Sequence, residues 1–258
     1  MKVLFSFLLF FILVNDSAGA PMATSHTVQG TGRPIAVDLL PPGPINGKQQ
    51  QRIAYLTFDD GPSTNTKAIL DILDRYEIKA TFFVMGHEEP YAMKGYKEIK
   101  NRGHVIALHC FSHDYSVIYR SKEGYFKDLN RLEVFLKKNF GITSNVVRFP
   151  GGSKNITTRQ AATKHVVPDI INELTKRGYI YYDWTIDSRD GDSPYVSKQA
   201  IIQNVLKEAA HQQQAVILLH DINSMKNTVR ALPDIIEGLK SQGFIFDIID
   251  DYSPKVHL

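Results

Sequence analysis

Seven short apolar runs, each separated from the next by a longer stretch of helical periodicity, restrict this chain to very few folds. The runs are Ile53–Phe58, Thr81–Met85, Val105–Leu108, Val146–Phe149, Tyr179–Trp184, Ala215–Leu219 and Phe244–Ile249, and they read as strands. Between them the spacing predicts helices over Thr66–Tyr76, Tyr91–Asn101, Gly124–Asn139, Pro168–Arg177, Ser197–Ala210 and Thr228–Ser241. Three of these close on a glycine, at Arg102-Gly103, Arg177-Gly178 and Gln242-Gly243, where the chain needs a left-handed residue to turn back. Strand alternating with helix this regularly makes a parallel sheet, because each helix returns the chain to the same edge. So many units within about 200 residues predict one domain, a closed or nearly closed α/β barrel.

In such a barrel the C-terminal ends of the strands share one face, so residues far apart in sequence meet there. Asp59-Asp60 follows the first strand, His109 and His113 the third, Arg148 the fourth, Asp187 the fifth and His220-Asp221 the sixth. Adjacent carboxylates repel, and a cation held by one of them leaves the other ionised beside it as a base. Asp59-Asp60-Gly61-Pro62 is also good turn chemistry. What favours the cation is the company: His109 and His113, four residues apart, with Asp60 give two nitrogens and one oxygen, leaving positions open for water and substrate.

Asp59 is then the candidate general base, and Arg148 can hold it through a charge-assisted bond. Cleaving an amide also requires an acid, since an amine leaves poorly without a proton. His220, after the apolar run Val216–Leu219, is that candidate, and Asp187 is the carboxylate available to raise its pKa. A mononuclear iron oxygenase could use the same His/His/Asp set, but the second carboxylate of the pair argues against it.

Thr57-Phe58-Asp59-Asp60-Gly61, His109-x-x-x-His113, Arg148-Phe149-Pro150, Trp184-Thr185-Ile186-Asp187 and Leu218-Leu219-His220-Asp221 together resemble, in order, the five motifs of the polysaccharide deacetylases of carbohydrate esterase family 4, the NodB-homology enzymes. The resemblance covers about residues 52 to 250. It implies a deformed (β/α) barrel of about seven parallel strands and metal-dependent removal of acetyl from N-acetylated sugars. It further implies that Asp59 is base and that Asp60, His109 and His113 hold zinc or a similar divalent ion (cobalt, nickel or manganese). Arg148 would steady the base, and His220, tuned by Asp187, would be the acid. The Gly151 N–H would stabilise the oxyanion, and Trp184 with Leu218 would line the slot for the acetyl methyl.

The chain departs from that pattern in three places. Cys110 stands where a hydroxyl residue is usual, and reads as a small buried side chain. Gly151-Gly152-Ser153 lacks a common groove aromatic, and Asp190-Gly191 replaces an Asp-Trp pair. His87 reads as a loop residue, and Tyr179-Ile-Tyr-Tyr182 as barrel packing rather than a sugar platform.

Outside this domain, Lys2, the apolar run Val3–Val14, polar Asn15-Asp16 and small Ala18-Gly19-Ala20 have the layout of a secretory signal over residues 1–20. The run is short for a bilayer of about 30 Å, and membrane association is expected only if the segment is not cleaved. Residues 21–51, rich in Pro, Gly, Thr and Gln, read as a linker or arm, leaving the domain at 52–258. A single cysteine forbids an internal disulfide, so an exported domain of this size rests on its packed core. The net charge of +3 comes without a basic patch of the kind that binds nucleic acid. The expectation is a secreted or wall-associated monomer acting on an N-acetylglucosamine polymer, most plausibly peptidoglycan. Chitin oligomers and acetylated xylan are the alternatives, and a glycan-binding protein without turnover is the competing class.

Overall fold

The computed structural model describes residues 51–154, 166–250 and 253–258; residues 1–20, expected to be a secretory signal, and the expected arm up to residue 50 lie outside them. The elements in chain order are β1 (Arg52–Asp59), α1 (Thr66–Arg75), β2 (Thr81–Val84), α2 (Pro90–Asn101), β3 (Val105–Leu108), α3 (Tyr115–Ile118), α4 (Lys122–Phe140), β4 (Val146–Val147), α5 (Val166–Lys176), β5 (Ile180–Tyr181), β6 (Ile186–Asp187), α6 (Lys198–Ala209), β7 (Gln214–His220), α7 (Lys226–Ser241) and β8 (Phe244–Asp247). All strand pairs are parallel, in the order β5-β4-β3-β2-β1-β7-β6, with β8 added on β1. The result is a curled parallel sheet ringed by helices, the deformed barrel that the resemblance implies.

Period-two geometry sorts the strand residues into two layers. Ala54, Leu56 and Phe58 of β1 pack outward with Phe82, Val84, Ile106, Leu108, Ile217 and Leu219, under the apolar stripes of the helices. On α7 that stripe is Ala231, Leu232, Ile235, Ile236 and Leu239, a spacing only a helix presents on one side. Tyr55 points the other way and meets Phe83, Ala107, Val146, Tyr182, Val216 and Ile249 inside the curl. Continuing the same parity upward along each strand gives Thr57 and Asp59, His109, Arg148, Leu218 and His220. The alternation that builds the inner core thus delivers the polar residues to its upper mouth.

One expectation needs correction. The run Tyr179–Trp184 is not one strand: β5 covers only Ile180–Tyr181, and a separate β6 forms at Ile186–Asp187. The chain crosses between them from one end of the sheet to the other. Tyr182 N–H still bonds the Val147 carbonyl beside β4, whereas Thr185 N–H bonds the Val216 carbonyl on β7. The hydrogen-bonded path therefore ends at β5 and β6, and the barrel is deformed where the sequence reads most like a continuous strand. β8 pairs with the lower half of β1, Arg52–Tyr55, along an edge whose upper half, Thr57–Asp59, belongs to β2.

Candidate metal and acid–base site

β1 ends in the register that decides the site: Asp59 lies beside Phe83 of β2 and beside His220 of β7. Asp59 is almost fully buried, which an isolated carboxylate could not sustain. Its partner is Arg148, wholly buried just after β4, whose Nη1 donates to Asp59 Oδ1 at 2.8 Å and to Thr57 Oγ1 at 2.7 Å. The same guanidinium donates to the carbonyls of Tyr182 (3.1 Å) and Asp183 (2.9 Å) and lies over the Phe83 ring at 4.0 Å. Thr57 is fixed in turn by donating its hydroxyl to the Ile217 carbonyl at 2.6 Å. With most of its donors committed, the arginine cannot drift, and Asp59 is held in one orientation.

One residue further, Asp60 turns toward the two imidazoles. Its Oδ1 lies 3.4 Å from Nε2 of His109 and 3.4 Å from Nε2 of His113, and the three ligand atoms all fall within 4.8 Å of one another. His109 Nδ1 donates to the Arg148 carbonyl at 2.8 Å, which leaves Nε2 as the nitrogen turned to the site. Burial pushes the Asp60 carboxyl up, but the His109 and His113 imidazoles, with His220 beyond, outweigh it and hold the group well below the usual carboxylate range. Asp60 Oδ1 is nonetheless buried with no hydrogen-bond partner. An anionic oxygen sealed from water and facing two imidazole nitrogens is a donor set that a divalent cation satisfies, so the residues present fit one.

His220 is the fourth corner, and here one sequence expectation fails. Its Nδ1 bonds Asp190 Oδ1 at 2.7 Å, not Asp187. Asp187 ends β6, is exposed, and uses its carboxylate to accept the Arg189 N–H at 2.8 Å. Asp190 lies three residues on, in a single 3₁₀ turn that folds it back under the imidazole. It is fully enclosed and accepts three more hydrogen bonds in the same pocket, from the His220 N–H (2.8 Å), the Thr228 hydroxyl (2.7 Å) and the Ser188 hydroxyl (2.9 Å). Gly191 is what permits this closeness, since a Cβ there would stand 2.5 Å from His220 Cε1. Burial alone would lower the His220 pKa; the bond to Asp190 and the charges of Asp190, Asp60 and Asp59 outweigh it and push the imidazole up to about 10. The imidazole is a protonated acid at neutral pH.

The other implied residues lie around this core. Gly151 and Gly152 both have left-handed backbone (φ 75° and 81°), turning the loop after Arg148-Phe149-Pro150. Gly152 sits against Trp184, whose Cη2 would be 2.8 Å from a Cβ at that position. Trp184 packs against the inner cluster, 5.9 Å from the Arg148 guanidinium, and Leu218 is buried in β7 next to Thr57. Cys110 is buried and its thiol is pushed up by that burial, an inert packing residue as the sequence reading has it. Asp221, next to the acid, ties β1 to β7: it accepts from the hydroxyls of Ser63 and Thr66 at 2.5 Å, and its N–H donates to the Asp59 carbonyl at 2.8 Å.

Several residues at the site carried no sequence signal. His87 Nε2 donates to the Asp60 carbonyl at 3.0 Å, and with Met85, Tyr91 and Asn223 it lines a cleft of about 240 Å³ that also includes Asp60 and His113. Asp128, on α4, holds the loop between the two histidines. A lone His after a strand and a lone Asp in a helix are indistinguishable in sequence from ordinary surface groups. Asp190 did leave a trace: an Asp-Gly pair just after a predicted strand marks a tight turn able to reverse the carboxylate.

Residues 46–168 match the family described as polysaccharide deacetylase. A peptidoglycan-N-acetylglucosamine deacetylase of Bacillus cereus is 32% identical over 217 residues, covering 82% of this chain and 74% of that protein. Among solved structures, the catalytic domain of peptidoglycan N-acetylglucosamine deacetylase from Eubacterium rectale is similar with a TM-score of 0.76 at 34% identity, over 82% of this chain and 94% of that one. A polysaccharide deacetylase from Bacillus cereus is similar with a TM-score of 0.68 at 30% identity, over 80% and 97% of the two chains.

Proposed function

Because this chain belongs to the polysaccharide deacetylase family of hydrolases, we propose that it removes N-acetyl groups from N-acetylglucosamine residues of peptidoglycan with the help of one divalent ion, zinc or a close analogue. The observation that carries the reading is the buried, unpartnered Asp60 oxygen between His109 and His113, flanked by a base fixed by Arg148 and an acid fixed by Asp190. Asp60, His109 and His113 are the residues that would hold the ion, which when bound supplies Lewis acidity to the acetyl carbonyl and to water.

Asp59 takes a proton from the attacking water as its oxygen bonds to the acetyl carbon. The Gly151 N–H faces the developing oxyanion, and the acetyl methyl rests between Trp184 and Leu218. His220 then gives its proton to the amide nitrogen, the C–N bond breaks, and acetate leaves with a free amine on the sugar. The Arg148 clamp holds Asp59 in one orientation in a buried setting, while the Asp190 pairing keeps His220 charged. Two neighbouring titratable groups thereby hold opposite roles at one pH. The leading segment at residues 1–20 would carry the enzyme to the wall, where this polymer is found.

Mass spectrometry of wall glycan, chitin oligomer and acetyl-xylan, incubated with zinc-supplied protein, tests the reading. Loss of acetyl mass from the wall glycan with matching acetate release, abolished by chelation, is the expected result. Binding of the glycan with no acetate released under any divalent ion would overturn it in favour of a binding protein. His220→Ala is expected to depress amide cleavage at least ten times more than cleavage of an O-acetyl ester, whose alkoxide leaves with less need of a proton. Equal losses on both substrates would remove His220 as the leaving-group acid.

A further inference from the structure

Four non-glycine residues among those described have left-handed backbone, and two of them are Asp60 (φ 71°) and His113 (φ 54°). That conformation is disfavoured for an L-residue and persists only where the surroundings hold it. The proposed ligands are therefore held by something other than their own preference, and neither support is a ligand.

On the His113 side the support is Asp128. This carboxylate, 6% exposed on α4, accepts the Phe111 N–H (2.5 Å) through Oδ2 and the Ser112 N–H (3.2 Å) and Ser112 hydroxyl (2.6 Å) through Oδ1. Both of its oxygens are thus spent on the loop that joins His109 to His113. The Phe111 ring is pinned as well: the Arg131 guanidinium lies 3.5 Å from its centroid. On the Asp60 side the support is His87, donating from Nε2 to the Asp60 carbonyl at 3.0 Å. His87 is itself braced, because its N–H donates to the Tyr96 hydroxyl at 2.9 Å, and that hydroxyl donates to the Met85 carbonyl.

We propose that Asp128 is a positioning residue that sets the His109–His113 loop in ligating geometry before an ion arrives, with His87 doing the same for Asp60. Neither takes part in the proton transfers. Each acts through the backbone of a ligand or its loop, so the effect falls on ion affinity rather than on chemistry alone. The inference rests on the reading that Asp60, His109 and His113 hold the ion, and not on which glycan is cleaved.

Zinc affinity, measured by competition with a chromophoric chelator, tests it without recourse to activity. Asp128→Asn keeps the size but has one acceptor oxygen where two are used, and is expected to weaken zinc binding 10- to 100-fold. Ser112 is exposed, so Ser112→Ala leaves folding intact, and it is expected to weaken binding about 5-fold by removing one bond to Asp128. His87→Ala should weaken it similarly, with His87→Gln, whose amide can donate to the same carbonyl, restoring most of the loss. A lowered melting temperature of the zinc-free variants with zinc affinity within twofold of the parent would show a purely structural role and overturn the proposal. Should Asp128→Asn not fold, Ser112→Ala and the His87 pair decide. Zinc binding without acetate release would sink the deacetylase reading and leave this one standing; a parent chain that binds no zinc would end both.

Discussion

Asp59→Asn is expected to cut acetate release by about 10³-fold while leaving zinc affinity within a few-fold of the parent. The asparagine fits the same space, and Arg148 can still donate to its carbonyl oxygen, so the fold and the neighbouring Asp60–His109–His113 set are preserved. What disappears is the anion that receives the proton from water. The size of the loss reflects how little else is available: Asp60 is the next carboxylate, and it faces the two imidazoles. One side reaction needs exclusion. Deamidation of the introduced Asn would restore Asp59, so mass spectrometry of the variant accompanies the assay. A loss of only a few-fold, with the mass intact, would mean that another group accepts the proton.

The second large effect is expected from Asp190→Asn. The sign follows from the His220 environment. Its folded pKa is raised to about 10 from an ordinary 6.5, against the push of burial and because Asp190 first, then Asp60 and Asp59, favour the charged ring. The acid is active while protonated, so the parent keeps it through neutral pH and loses it only as pH climbs through that raised value. Without the Asp190 charge, burial acts unopposed by the strongest partner, and the alkaline limb of the rate profile moves down by two units or more. At pH 8, an imidazole of ordinary pKa would be protonated in only about 3% of molecules, so roughly a 30-fold loss arises from protonation alone. A bound divalent cation lowers the limb in both proteins, which makes the displacement between them the quantity to read. The same linkage bears on folding: the stability that His220 gains from Asp190 is fully present below about pH 6.5 and is lost as pH rises through about 10. A variant with an unshifted limb would show that Asp190 orients the ring without charging it.

What the sequence reveals and what it hides follow from the range of the interactions. The strand-end ladder is legible because period-two alternation and parallel topology are enough to bring Asp59, His109, Arg148 and His220 to one mouth. The ligand set is legible for the same reason, helped by the close spacing of His109 and His113. Asp187 and Asp190, by contrast, sit three residues apart, and only a tertiary fact separates them. The 3₁₀ turn at Asp190–Asp192 swings one carboxylate under the imidazole and leaves the other accepting a local N–H, and Gly191 allows the approach. The shortening of the Tyr179–Trp184 run to β5, with β6 forming beyond it at Ile186–Asp187, is hidden likewise, because its cause is where the carbonyls of Val147 and Val216 lie, on strands far away in sequence. Asp128 and His87 are hidden most completely: each contributes through backbone groups of other segments, and no periodicity records that.

The account depends on one ion held between β1 and the loop after β3. Diffraction from crystals grown with zinc, with anomalous data collected across the zinc edge, tests this directly. The expected map has one strong peak about 2.0–2.2 Å from an Asp60 oxygen and from Nε2 of both His109 and His113. Crystals of active protein with no peak there, or with the zinc held by other residues, would contradict it.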